Sequence, residues 1–234
     1  MGVKNLLKFQ QTEKKVEKYF GILEKCPLFT GIERSEMTQM LTCLGARVAV
    51  FDKKYTVFAE GTPAKYVGVL LSGALRMEQV DFYGNRNLIS GVIPGEVFGE
   101  AFACAEVASI PISVVAGEPS EVLLLDCGHI LRTCAKGCDF HRRLIYNLMK
   151  DLAEKSLRFH QKIEITSKRT TREKLLAYLS HRAREEGKMR FEIPYDRQEL
   201  ADYLEMDRSG LSAEIGKLTR EGVLRSKKKQ FELL

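Results

Sequence analysis

No window of this sequence approaches the apolar length needed to cross a bilayer, and its first fifteen residues, MGVKNLLKFQQTEKK, lack the apolar core of a signal peptide. A cytoplasmic chain with no membrane partner is therefore expected. Walker-type phosphate loops, HExxH and GxSxG are also missing, and the candidate acids and bases are scattered, so an enzyme is not expected. There is no CxxC pair either. The six cysteines, at 26, 43, 104, 127, 134 and 138, are dispersed in a chain too large to need disulfides, and they read as mostly reduced, buried, small apolar side chains. Four histidines alone support no argument for haem ligation, and no cofactor is identified.

The composition is that of a globular protein: 234 residues, 44% hydrophobic and 29% charged, with a net charge of +6. Residues 167–234 hold 16 Lys/Arg against 12 Asp/Glu, so +4 of the excess lies in the last third. That third contains the most informative stretch, Arg197 to Leu218. Leu200, Ala201 and Leu204 make one apolar face, and Leu211, Ile215 and Leu218 recur at helical spacing after a break. Asp207 stands where an N-cap belongs, so a second helix should begin there and present Arg208, Ser209, Ser212 and Ala213 near its start, with Lys217 further along. This is a helix-turn-helix pattern, in which such positions reach base edges in the major groove. A plain helical hairpin with a solvated polar face has the same spacing.

A short strand, Arg190 to Ile193, precedes this segment, and a hairpin starting at Gly222-Val223-Leu224-Arg225 follows it, with Lys227, Lys228 and Lys229 at the tip. The order is that of a winged helix-turn-helix, and the lysines are placed to meet phosphates. Taken alone, the run reads equally as a solvated basic turn.

Earlier in the chain, residues 12 to 25 put Val16, Tyr19, Phe20 and Leu23 on one face, predicting an amphipathic helix ended by Pro27. A second short helix is expected over about Ser35 to Leu44. From Ala46 to Leu125, β-branched and aromatic residues alternate in short runs broken by glycine, which indicates an antiparallel β-roll. Its clearest hairpin pairs Tyr66–Leu71 with Ala74–Val80 across Ser72-Gly73, and Asp81-Phe82-Tyr83-Gly84 makes the next turn. Pro94 to Phe102, PGEVFGEAF, runs from a glycine-flanked strand end into a short helix, suited either to an anionic ligand or simply to a tight turn.

Phe140 to Thr166 contains neither Gly nor Pro and predicts one long helix. Met149, Ser156 and Ile163 fall at heptad position a, with Ile145, Leu152 and Phe159 at d, while Leu144 and Leu148 lie on a neighbouring face. Two apolar faces on one helix suggest a homodimer seam, the competing reading being a single-chain core helix. A further helix is expected over about Thr170 to Glu186, with Leu175, Leu176 and Leu179 inward. The fold class is α+β: a sensing domain at 1–139, a dimerisation helix at 140–166 and a winged helix-turn-helix domain at 167–234.

With PGEVFGE, the long helix, RQELADYL and DRSGLS in this order, the chain resembles the Crp/Fnr family of bacterial transcription regulators over nearly its whole length. The resemblance implies a cyclic-nucleotide-binding-like β-roll and a dimer on a palindromic DNA site, with recognition helices about 34 Å apart. It also implies contact with RNA polymerase and control by a small-molecule effector. By position, Gly99 and Glu100 match the family's nucleotide pocket, with Ala101 beside them. The Arg-Ser pair that holds the phosphate of cyclic AMP is replaced by Ile110 and Pro111, followed by Ile112, and no arginine occurs between Arg86 and Arg132. A buried phosphate without a cation is costly, so the usual cyclic AMP mode is not expected. Arg208 matches a family position that reads guanine or meets phosphate, whereas the usual Glu and Arg further along are Ser209 and Ala213. Arg197 and Gln198 would position phosphates.

Two other functions stay open on these residues. Cys127, Cys134, Cys138 and His141 lie within fifteen residues, and Cys138 with His141 share a helix face, which leaves a thiol- or metal-based redox regulator as an alternative; no metal site is assigned. A ligand sensor acting on a protein partner through its C-terminal helices is the other.

Overall fold

A computed structural model describes residues 17–80, 86–132 and 138–234. The chain forms two compact units, divided between Glu154 and Lys155.

The first unit begins with a 3-10 turn at Glu17–Tyr19, helix α1 at Phe20–Leu23 and a second 3-10 turn at Pro27–Phe29. Of the helix expected over residues 12 to 25, the part up to Val16 lies outside the described residues, and Glu17–Leu23 is helical, a 3-10 turn running directly into α1. Tyr19 and Leu23 are buried, as the apolar spacing suggested. Helix α2, Arg34–Cys43, starts at a reciprocal cap between Glu33 and Glu36 and buries Met37, Met40 and Leu41.

Eight strands follow: β1 Arg47–Phe51, β2 Thr56–Phe58, β3 Tyr66–Ser72, β4 Leu75–Val80, β5 Arg86–Val92, β6 Val97–Phe98, β7 Ser113–Ala116 and β8 Ser120–Asp126. Helices α3, Glu100–Cys104, and α4, Cys127–Leu131, interrupt and close the series. The strands make two four-stranded antiparallel sheets, ordered β1-β8-β3-β6 and β2-β7-β4-β5. Phe51, Leu70, Leu75, Phe98, Val114 and Val122 form the core of the roll. Val67, Val69, Leu71, Leu123 and Leu125 point the other way and pack with Leu28, Met40, Leu41, Leu144 and Leu148, so helices cover the back of the first sheet.

This layering corrects the expected hairpin between Tyr66–Leu71 and Ala74–Val80. β3 pairs with β6 and β8, and β4 pairs with β5 and β7. The physical reason lies in burial: from Val67 to Leu71 β3 is buried on both faces, as a strand between the roll interior and the helices must be, whereas in β4 Leu75 is buried and Arg76 exposed. Gly73, at φ +88, carries the chain from one sheet to the other, and a Cβ there would lie 2.4 Å from Ser120 Oγ. The turn expected at Asp81 to Gly84 lies outside the described residues.

Helix α5 runs from Asp139 to Thr166. Leu144 and Leu148 bury into the first unit, as their separate face suggested, and Asn147 donates to the carbonyl oxygens of Leu28 and Thr30.

The second unit contains α6 Thr171–Glu186, β9 Arg190–Glu192, α7 Arg197–Tyr203, α8 Arg208–Arg220, β10 Leu224–Lys227 and β11 Gln230–Leu233. Thr170 caps α6 through a reciprocal box with Glu173. Leu175, Leu179, Leu200, Leu204, Leu211, Ile215, Leu218 and Phe231 make the core, and Leu176 packs against it partly buried. β9 joins the β10–β11 hairpin in an antiparallel sheet ordered β10-β11-β9. No helix among the described residues is long and apolar enough to cross a membrane.

Candidate nucleic-acid interface

The start of each helix in the helix-turn-helix is fixed by an aspartate. Asp196 accepts from the backbone amides of Gln198 at 2.8 Å and Glu199 at 2.9 Å, while Glu199 accepts from the Asp196 amide at 2.6 Å. Asp207 accepts from the Gly210 amide at 2.8 Å and from the Ser209 hydroxyl. Those bonds, the Ser209 one first, hold the Asp207 carboxyl below the usual carboxylate range. The turn between α7 and α8 is tight enough to put Glu205 at φ +52.

Leu211, Ile215 and Leu218 bury one face of α8, so Ser209, Ser212, Ala213, Gly216, Lys217 and Arg220 are left on solvent. Sequence spacing identified four of these six. Gly216 carries no side chain to attract notice, and Arg220 sits a full turn beyond the expected contact zone. On the inner side of α8, Arg172 of α6 meets Glu221 at 2.6 Å and Glu214 at 3.6 Å, which pins the helix to its neighbour and keeps the exposed face pointing outward.

A groove of about 880 Å³ brings Arg197, Gln198, Arg208, Lys227, Lys228 and Lys229 together with Glu192, Asp196 and Gln230. Positions thirty residues apart in sequence thus share one cationic surface at the start of α8 and the tip of the β10–β11 wing. Their side chains differ in freedom. Lys229 donates to the Pro194 carbonyl at 2.6 Å, Gln198 to Asp202 at 2.8 Å, and the Arg197 guanidinium lies 5.6 Å from the Phe231 ring centroid, partly buried. Burial pushes the Arg197 pKa down. Arg208, Lys227 and Lys228 are exposed and make no ion pair among the described residues. Such a surface has the charge to neutralise phosphates, and a guanidinium such as that of Arg208 has the donor geometry to meet a guanine edge.

In the first unit, a cavity of about 410 Å³ is lined by Phe51, Thr56, Phe58, Tyr66, Phe102 and Leu124, among others, and by the expected residues Gly99 and Ile110. Glu100, Ala101, Pro111 and Ile112 are not in its walls: Glu100 and Ile112 are buried elsewhere in the fold, and Ala101 and Pro111 are exposed. Gly99 caps α3 at φ +75, and a Cβ there would stand 2.5 Å from Phe58 Cε2. Of the two cations among the lining residues, Arg47 is exposed and Lys65 is exposed and paired with Asp126 at 3.2 Å.

Along α5, the expected seam residues Met149, Ser156, Phe159 and Ile163 are exposed, with Phe159 at 68%. Ile145 and Leu152 are half-buried and pack against the first unit's core. Tyr146, 65% exposed, and Leu157, 69% exposed, extend the apolar surface on the other side of Met149 and were missed by the heptad assignment.

Among the described residues, Cys127, Cys138 and His141 do not form a group placed to hold a metal ion. Cys134 lies outside the described residues, and His141 Nε2 sits 2.7 Å from the Ile130 carbonyl oxygen. Among the described residues, no group of three or more His, Cys, Asp and Glu side chains is placed to hold a metal ion.

Residues 48–136 match the family model for the cyclic nucleotide-binding domain, and residues 173–234 match that for the Crp-like helix-turn-helix domain. No curated protein matches the sequence. Among solved structures, the chain is similar to the c-di-GMP responsive global regulator CLP of Xanthomonas campestris, with a TM-score of 0.53 and 16% identity over 86% of this chain and 99% of that one. It is similar to a cyclic nucleotide binding protein of Ruegeria pomeroyi at a TM-score of 0.51 and 18% identity, covering 94% of both chains. The sensor domain of the transcriptional regulator DNR of Pseudomonas aeruginosa gives a TM-score of 0.50 at 20% identity, covering 63% of this chain and 93% of that domain. At these identities the structures speak for the fold alone, and the two matched domains, in this order, carry the assignment. The chain belongs to the Crp/Fnr family of DNA-binding transcription regulators.

Proposed function

We propose that the chain acts as a homodimer that reads a palindromic operator, with an effector in the β-roll setting its activity and RNA polymerase as a protein partner at the promoter. The observation that carries the DNA-reading part is the groove uniting Arg208 with Lys227 and Lys228 at the start of α8. In this reading Arg208, Ser209, Ser212 and Ala213 face the major groove, and Arg197, Gln198, Lys217 and the wing lysines hold phosphates. A cytoplasmic location follows from a chromosomal target.

The exposed strip of Tyr146, Met149, Leu157, Phe159 and Ile163 supports pairing of two α5 helices. Side chains of this size on one helix face are costly to leave in water, at about 25 cal/mol per Å² of apolar surface. The lining of the β-roll cavity, aromatic and aliphatic with its cations exposed, favours an effector less charged than a cyclic nucleotide phosphate.

Sedimentation equilibrium of the full chain, alone and with duplex DNA, tests this reading. The expected result is a dimer that places two chains on one duplex, and Leu157→Asp should shift it toward monomer and weaken DNA binding at least tenfold. A wild-type monomer binding one chain per duplex would overturn it.

A further inference from the structure

Two thiols away from both the DNA-facing groove and the cavity walls lie against each other. Cys104 ends α3 and Cys127 begins α4, and their Sγ atoms are 3.6 Å apart. The sequence drew attention instead to Cys127 with Cys134 and Cys138, because those are close along the chain.

The two thiols are unequal. Cys127 is 3% exposed, whereas Cys104 is only half-buried and within reach of a small solute. The hydrogen bond with Cys127 holds the Cys104 thiol below its usual range, against the opposing effects of burial and the Glu100 charge. The same contact, with burial, pushes the Cys127 thiol up. The more accessible sulfur is therefore also the readier thiolate, the form that reacts.

We propose that Cys104 and Cys127 form an oxidisable dithiol, in which Cys104 reacts first with a two-electron oxidant of the hydroperoxide class and Cys127 resolves the product to a disulfide. In the first step the Cys104 thiolate attacks a peroxide oxygen. The S–O bond forms as the O–O bond breaks, sulfur is oxidised to sulfenic acid, and the departing hydroxide or alkoxide takes up a proton. In the second, the Cys127 sulfur attacks the Cys104 sulfur, the S–S bond forms, the S–O bond breaks, and the hydroxide leaves with the Cys127 proton as water. With hydrogen peroxide the balance is two thiols and one peroxide giving one disulfide and two waters. A disulfide requires about 2.05 Å between sulfurs, so closure moves them by roughly 1.5 Å.

The site bears on the cavity because α3 lies between them. Gly99 at its cap and Phe102 within it form part of the cavity wall, so bonding its last residue to α4 tethers that wall. The proposal goes beyond effector and DNA binding and depends on neither.

The test treats the reduced full-length chain with one equivalent of hydrogen peroxide, blocks remaining thiols, digests without reduction and maps the peptides by mass spectrometry. The expected product is a Cys104–Cys127 cross-link lacking two hydrogen atoms, restored by dithiothreitol. In Cys127→Ser, Cys104 should instead persist as a sulfenic acid trapped by dimedone, and in Cys104→Ser oxidation of Cys127 should fall at least tenfold. The exposed Cys43 is an internal control for oxidant exposure. Cross-links joining either thiol to another cysteine, or a pair still reduced once Cys43 is oxidised, would overturn the proposal.

Discussion

Lys228 sits at the wing tip with φ +54, a conformation that costs an L-residue roughly 1 to 2 kcal/mol. A glycine would relieve that strain, offset in part by its greater chain entropy. In the proposed interface the charge of Lys228 offsets that strain by meeting a phosphate. Lys228→Gly should leave the melting temperature unchanged or higher, yet reduce the slope of log K against log salt for DNA by about 0.9, one phosphate contact. An unchanged slope in a salt titration would remove Lys228 from the interface. Arg208→Ala makes the opposite distinction. Being exposed, Arg208 contributes little to the fold, and its loss should cost about 1 to 3 kcal/mol of discrimination at one base pair, measured by competition between operator variants. Asp207 acts on the helix that carries Arg208. Its carboxyl is held below its unfolded value, so its contribution to stability is present above that value and lost as pH falls through the folded one. Thermal melts should show a loss beginning below about pH 4 that Asp207→Asn flattens.

At the scale of elements, the turn between α7 and α8 carries the same kind of strain as the wing. Glu205 is left-handed at φ +52, and its exposed carboxylate lies 3.8 Å from the half-buried Lys162. Such a pair contributes little, so Glu205→Gly should raise stability by about 0.5 to 1 kcal/mol in denaturant titration. A loss of stability would mean that the Lys162 contact outweighs the strain. The helix-turn-helix itself was legible because its signals are local: an aspartate cap at 207, and leucines at helical spacing in one amphipathic face. The supposed β3–β4 hairpin was not legible for the opposite reason. Ser72-Gly73 has the chemistry of a tight turn, but pairing depends on which faces are buried, and the run Val67 to Leu71, apolar without alternation, marked a strand covered on both sides. The surroundings of the heptad on α5 were hidden for a related reason. Ile145 and Leu152 have seam spacing and are also half-buried against the first unit's core, and only with that core in place do Tyr146 and Leu157 emerge as exposed neighbours of Met149.

For the whole molecule, each unit has a core of its own, and the division of labour follows from what each surface offers. The cation-bearing groove lies in the second unit, within residues 167–234, where the sequence already placed +4 of the net charge. The ligand-sized, mainly apolar cavity lies in the first, and its walls were only half legible: Gly99 and Ile110 line it, while Phe51, Phe58 and Tyr66 arrive from strands distant in sequence. The paired thiols of Cys104 and Cys127 were hidden for the same reason, being brought together by two short helices that the chain reaches 23 residues apart.

Selection from random double-stranded DNA by the purified, reduced chain is the most direct test of dimeric operator reading. Two copies of α8 reading successive major grooves predict enrichment of a two-fold palindrome whose half-site centres are about 10 base pairs apart, with Arg208→Ala relaxing one position in each half-site. Enrichment of a single unpaired site, or DNA retained without any sequence preference, would contradict it.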